Sequence, residues 1–358
     1  MACVYFPIFA RFLYNMRKYI TKLVLTSIVV LGGLTIEPAK AQDKVFTINQ
    51  LKLESRADFD LRYNQSDTSW SSGFVGKYLN FAISGNITDK FSYHYRQRIN
   101  IANVGFSTNF FQGTDWAYLN YMPSDRFTLS AGKQVVAIGG WEYDLAPIDV
   151  YFASEFWNNI NCYEMGVSAA FHDRDGHNTL LLQVSNSPFS VRALQGIYAY
   201  NLQWLGNFGA FKTNYSVNFI EYQKGQFINY IALGNRFDFE HLSFYLDFMN
   251  RAGLGQKEFF LEDFSLLGEV RYHFDGHWNA FLKGGLDRNK TQLDVPETEY
   301  YDYCVPPGTD YTFYGLGGEY YPIRGKHDVR IHAFFARVIS QQAVCQANIG
   351  LTWRVNFK

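Results

Sequence analysis

Apolar and polar residues alternate one by one along most of this chain. Near its end, Ala347, Ile349, Leu351, Trp353, Val355 and Phe357 share one parity, while Gln346, Asn348, Gly350, Thr352, Arg354 and Asn356 share the other. A period of two sustained this long predicts a strand with one apolar and one polar face. It exceeds the ~5–6 residues of a typical soluble strand and suits a tilted bilayer crossing. An early strand reads the same way: Leu51, Leu53, Ala57, Phe59 and Leu61 alternate with Lys52, Glu54, Arg56, Asp58, Asp60 and Arg62. Phe91, Tyr93, Tyr95, Ile99 and Ile101 oppose His94, Arg96, Arg98 and Asn100. Further on, Tyr198, Tyr200, Leu202 and Trp204 oppose Asn201 and Gln203, and Val329, Ile331, Ala333 and Phe335 oppose Arg330 and His332.

Tight polar turns and longer connections alternate between these strands. Tight turns are expected at Thr88-Asp89-Lys90, Pro123-Ser124-Asp125, 173–176, Gly206-Asn207, Phe239-Glu240, Asp275-Gly276 and Arg324-Gly325-Lys326. Longer connections are expected near 64–72, 104–112, 138–161, 186–195, 221–226, 251–261 and 289–310, with a short one near 340–342. This count predicts an all-β fold: a transmembrane antiparallel β-barrel of about sixteen strands, with short periplasmic turns and longer extracellular loops. An Arg or Lys on the lipid face at mid-membrane costs ~2–4 kcal/mol, so the charged parity is expected to line a wet lumen. Lys77, Lys133 and Arg337 fall on the wrong parity, which predicts rim positions or a bulge.

Composition agrees with a barrel. The chain has 358 residues, 47% hydrophobic and 18% aromatic, with a net charge of −1, yet mean hydropathy is only −0.18. An apolar outer band around a polar lumen gives that combination. The charge shows no basic footprint for nucleic acid. Residues 1–41 are expected to hold an upstream extension, a plausible start at Met16 and a cleaved export signal. That signal comprises the basic Arg17, Lys18 and Lys22, the apolar run 23–34 and the cleavage site Ala39-Lys40-Ala41. The barrel would then occupy 42–358. Of the remaining cysteines, Cys162, Cys304 and Cys345, a Cys304–Cys345 disulfide and free thiols both stay open.

The third long loop carries the chemistry. Between Ile138 and Asn161 it holds Trp141, Tyr143, Tyr151, Phe152, Phe156 and Trp157, the acids Glu142, Asp144, Asp149 and Glu155, and no Lys or Arg. Long loops are usually functional or disordered, and this composition argues against disorder. The loop is expected to fold into the lumen, with Trp141, Glu142, Tyr143, Asp144, Asp149, Glu155 and Trp157 forming a constriction. Arg56, Arg62, Arg96, Arg98, Arg271, Lys283, Arg330 and Arg354 are the expected basic lining, facing the loop acids across a transverse field. The histidines lie mostly near tight turns. No GxSxG elbow, HExxH helix, Walker loop or Cys/His ligand set appears, so no catalytic residue, metal or cofactor is expected.

The segment from Asp115 to Asp144, DWAYLNYMPSDRFTLSAGKQVVAIGGWEYD, resembles the strand–turn–strand segment leading to the constriction loop of the phosphate-selective porin O and P family. Gly132-Lys133-Gln134 matches its "GK" element, and Gly139, Gly140 and Glu142 match the loop start. The resemblance implies a trimeric, anion-preferring outer-membrane channel with an arginine ladder, for which Arg56, Arg96 and Arg98 are candidates. The family's lysine cluster has no counterpart in this acidic loop. The expectation is an outer-membrane porin, not an enzyme, passing small hydrophilic solutes or anions. Lipid and lipopolysaccharide are its expected surroundings, and no nucleic-acid partner is expected. A barrel enzyme acting on lipid or peptide, and a saccharide channel with an aromatic stacking track, stay open as alternatives.

Overall fold

The computed structural model describes residues 46–100, 110–190, 194–253, 256–291 and 304–357. The export segment expected over 1–41, Ile101 and parts of four expected outer connections lie outside the described residues. Among the described residues, sixteen strands form one closed sheet. They are β1 (Thr47–Asn64), β2 (Ser69–Asn86), β3 (Phe91–Arg98), β4 (Thr114–Ser124), β5 (Phe127–Val135), β6 (Tyr163–His172), β7 (Asn178–Asn186) and β8 (Tyr198–Phe208). Then follow β9 (Phe211–Gln223), β10 (Gln226–Asp238), β11 (Leu242–Ala252), β12 (Asp263–His273), β13 (Trp278–Asn289), β14 (Asp310–Tyr320), β15 (Val329–Ile339) and β16 (Ala343–Asn356). Each strand pairs with its sequence neighbours, and β1 closes on β16 with Leu53 opposite Val355 and Ala57 opposite Leu351. Closure matters in lipid, where an unpaired backbone group has no water to bond.

Parity sets the two faces as the alternation predicts. Leu119, Leu182, Leu246, Leu282, Leu316, Ile349 and Leu351 stand exposed on the outside. At the short-turn end, aromatic rings pair across neighbouring strands. Phe91 and Tyr121 have centroids 4.8 Å apart, Phe211 and Phe237 4.9 Å, and Trp278 and Tyr320 4.5 Å. Such a girdle belongs at a membrane–water interface, where an amphipathic ring meets both phases.

Three charged residues off parity have local explanations. Lys77 sits in a bulge between the pairs Arg56–Tyr78 and Ala57–Gly76, and its Nζ turns in to Asp60 at 2.8 Å. Lys133 reaches the Phe111 carbonyl at 3.2 Å and Arg337 reaches Gln65 at 3.1 Å, both at the loop end. Three expected connections need correction. The β8–β9 turn falls at 209–210 rather than at Gly206-Asn207, because Gly209 supplies the positive φ (74°) while Gly206 pairs with Thr213 inside the sheet. The connections near 64–72 and 221–226 are tight hairpins: Asn64 pairs with Ser69, and Gln223 with Gln226.

The lumen differs from a simple wet tube. Residues 136–162 run inward from β5, pack against the inner wall and return to β6, so they narrow the lumen. Two apolar clusters form between this strap and the wall. One gathers Ile138, Tyr143 and Phe156 with Ile220, Tyr230 and Met249. The other gathers Phe152 with Tyr245, Leu267, Phe281, Phe313 and Phe334. A Cβ on Gly315 would lie 2.7 Å from the Phe152 ring, so glycine there makes room for it.

Candidate functional site

The strap is fastened along its whole length, first by backbone hydrogen bonds to polar side chains of the wall. The Ala137 N–H donates to Gln183 at 2.7 Å and the Gly139 N–H to Ser216 Oγ at 2.7 Å. Asn218 donates to the Ala137 carbonyl at 2.8 Å and Asn214 to the Gly140 carbonyl at 3.1 Å. Asn214, Ser216 and Asn218 alternate along β9 and therefore share its inner face. A Cβ on Gly139 would meet the Asn214 carbonyl oxygen at 2.7 Å, and Gly140 has φ 107°. Gly139→Ala is therefore expected to lift the strap from β9 and destabilise it by ~1–3 kcal/mol. Faster protease cleavage within 138–161 in the intact barrel would show this, and an unchanged rate would refute it.

Charged groups of the wall take over further along. Asp247 accepts the Glu142 N–H at 2.8 Å and Asp287 accepts the Glu155 N–H at 2.7 Å, at the starts of the helical turns Trp141–Asp144 and Glu155–Asn159. Lys283 Nζ lies 2.7 Å from Glu142 Oε1, with both side chains 3% exposed, and also donates to the Phe152 carbonyl at 2.8 Å. Glu142 accepts from Ser154 as well, so the strap is cross-braced on itself.

Tyr151 stacks on Phe281 at 5.2 Å and lies 4.6 Å from the His332 ring, and its hydroxyl donates to Glu319 at 2.7 Å. Arg56, only 2% exposed, grips Asp58 with two nitrogens and donates to the Val150 carbonyl at 2.7 Å. Beside it runs an unbroken series of opposite charges across the wall. Lys52 meets Glu54, Glu54 meets Arg354 at 2.9 Å, and Arg354 and Arg330 each meet Asp149 at 2.6 Å. Arg330 and Arg271 both reach Glu319, at 3.6 and 2.6 Å, and Arg271 also meets Glu269 at 2.9 Å. Burial works against ionisation of Asp149, but the charges of Arg330 and Arg354 outweigh it and hold the carboxyl below its ordinary range.

Beneath the strap, toward the short-turn end, lies a cavity of about 640 Å³. Leu145, Ala146 and Asp149 form its strap side, and Ala82, Arg96 and Trp116 lie on β2, β3 and β4. The Arg96 guanidinium sits 3.6 Å over the Trp116 ring and bonds Asp115 at 2.8 Å and the Tyr163 hydroxyl at 2.6 Å. Arg98 shares Asp115 at 3.0 Å.

The expected basic lining thus divides. Arg96, Arg271, Arg330 and Arg354 border the cavity. Arg56, Arg98 and Lys283 do not: Arg56 and Lys283 are buried as clamps on the strap, and Arg98 is turned to Asp115. Arg62 lies on β1 toward the loop end, half exposed and 3.6 Å from Asp60. The expected transverse field between loop acids and distant arginines is also corrected. Glu142 and Asp149 are paired directly with wall cations, and Glu155 accepts from Asn159 at 3.0 Å. Asp144 is exposed and has no ion pair among the described residues. Tyr143 is buried against Phe156, and Trp141 packs on the second cluster with Arg236 5.5 Å over its ring. Trp157 is half-buried, and the aromatic side chains bordering the cavity come from the wall: Trp116, Phe244, Tyr245 and Tyr321. Cys162, Cys304 and Cys345 are free thiols.

Residues 50–219 match the family model described as phosphate-selective porin O and P. No curated protein sequence matches the chain. Among solved structures, an anion-selective porin from Comamonas acidovorans superposes with a TM-score of 0.60 at 8% identity, over 87% of this chain and all of that one. The outer-membrane channel DcaP of Acinetobacter baumannii gives 0.60 at 12% identity, over 89% of this chain and 99% of that one. OmpT of Vibrio cholerae gives 0.56 at 10% identity, over 88% and 99%. At such identities the superpositions speak for the barrel fold, and the family match adds sequence evidence through β1 to β9. The chain folds as a sixteen-stranded β-barrel like those of outer-membrane porins, and its residues 50–219 carry the sequence pattern of the phosphate-selective porin O and P family.

Proposed function

We propose that this barrel passes small hydrophilic solutes across the outer membrane by passive diffusion, with a preference for anions. The supporting observation is the charge bordering the cavity. Among the described residues, six basic ones (Lys52, Arg96, Arg236, Arg271, Arg330, Arg354) face it against four acids (Glu54, Asp149, Glu269, Glu319). Asp115 and Asp238 pair with Arg96 and Arg236 just outside that lining, but each also holds a second cation there, Arg98 and Lys212, so the surplus of two remains. A surplus of positive charge in a narrow, low-dielectric passage raises the local anion concentration and repels cations. The Comamonas porin is described as anion-selective, in keeping with this sign. The strap offers no lysine cluster, so the reading stops at anions as a class.

Export with loss of residues 1–41 belongs to the same reading, as does a homotrimer; the Vibrio cholerae OmpT has been solved in a trimer form. Purified protein in a planar bilayer is expected to show ohmic conductance and, in a salt gradient, a reversal potential of anion-preferring sign. Arg96→Ala is expected to move that potential toward the cation value, because it leaves Asp115 with one arginine fewer. Cation preference in the wild type would defeat the anion reading. Loss of all conductance, with hydrolysis of lipid or peptide in its place, would defeat the channel reading.

A further inference from the structure

We propose that Arg330 and Arg354 form a carboxylate-binding site of the channel, and that the strap's own Asp149 occupies it as a tethered competitor. This rests on the channel reading above. Both guanidinium groups converge on one oxygen: Asp149 Oδ1 lies 2.6 Å from Arg330 Nη1 and 2.6 Å from Arg354 Nη2. Its other oxygen has no donor among the described residues. Two planar cations aimed at one point match a carboxylate better than a spherical halide, because their N–H groups are directional.

The site is open to solvent where the other strap ion pair is not. The Asp149 side chain is 32% exposed and borders the cavity, whereas Glu142 and Lys283 are sealed. The two arginines do not depend on Asp149 for their positions. Arg354 is held by Glu54 at 2.9 Å, and Arg330 donates to Thr352 Oγ1 and to the Ile148 carbonyl, each at 3.2 Å. The strap backbone on either side is fixed separately, since Arg56 donates to the carbonyls of Ile148 at 3.3 Å and Val150 at 2.7 Å. The Asp149 side chain can therefore turn aside, and a solute carboxylate take its place, without the strap leaving the wall. Leu145 and Ala146 border the same space and suit a short apolar body on that solute. A channel gains from such competition. A bare two-arginine site would hold an anion too long, and conduction requires binding weak enough to release.

Block of single-channel chloride current by succinate tests this. A group tethered by a short linker competes at millimolar effective concentration or above. Asp149→Asn and Asp149→Ser, which remove the competitor's charge, are each expected to lower the half-blocking succinate concentration roughly tenfold or more. Adding Arg354→Gln to Asp149→Asn should return it to the wild-type value. Calorimetric titration of succinate into detergent-solubilised barrels gives the same comparison without membrane insertion. Unchanged succinate affinity in both Asp149 variants would overturn the proposal, as would a gain that persists without Arg354. A wild-type barrel that carries no current at all would instead defeat the channel reading, before any variant is compared.

Discussion

Replacing residues 140–158 by a short Gly/Ser linker should raise single-channel conductance severalfold and remove most of the ion selectivity. A sixteen-stranded barrel encloses far more space than its inward side chains fill, so what narrows it must be added. Here the addition is the strap, which follows the inner wall from Gln183 on β7 round to Arg56 on β1 with its apolar side against that wall. Without it the passage widens, and Arg330 and Arg354 lose Asp149. Charges further apart in a wider, wetter lumen are screened more strongly. The excision also has a structural cost, because Phe281, Phe313 and Phe334 would then face water. Conductance equal to that of the wild type would place the constriction elsewhere.

Lys283→Met should release the middle of the strap. Glu142 and Lys283 form the most enclosed ion pair on the strap, and removing one partner of a buried pair typically costs ~3–5 kcal/mol, since the other charge stays desolvated. The Phe152 carbonyl loses its donor in the same step. Protease cleavage within 138–161 should rise steeply and single-channel current should become noisy. Glu142→Gln in the same chain should recover much of the loss, because no uncompensated charge then remains. If Lys283→Met leaves both cleavage and current noise unchanged, the pair does not hold the strap.

The barrel was legible because a bilayer imposes strict alternation. Leu51 to Leu61 and Ala347 to Phe357 could only be strands with a dry and a polar side, and they turn out to be paired neighbours. Turn placement was less legible. In the stretch Gly206-Asn207-Phe208-Gly209 both glycines invite a turn, and the backbone alone shows which one needs positive φ. The strap's entry into the lumen could be argued from its aromatic residues, but its docking could not. Asn214, Ser216 and Asn218 looked like ordinary inward polar residues on β9. Their role appears only when Gly139 and Gly140 are laid beside them, and the two segments are far apart in sequence. Nor can alternation distinguish an inward arginine that meets solvent from one that clamps a loop. Arg56 and Arg96 share a parity pattern, yet one binds the Val150 carbonyl and the other borders the cavity.

Thiol accessibility tests the central claim, that solutes pass beneath the strap. Ala146→Cys, in a chain whose Cys162, Cys304 and Cys345 are replaced by Ala, puts one thiol on the strap's cavity side. A charged methanethiosulfonate reagent added to conducting channels should then cut the current irreversibly, while the cysteine-free barrel is unaffected. Rapid modification of that single thiol with no change in current would show that the permeation path runs elsewhere.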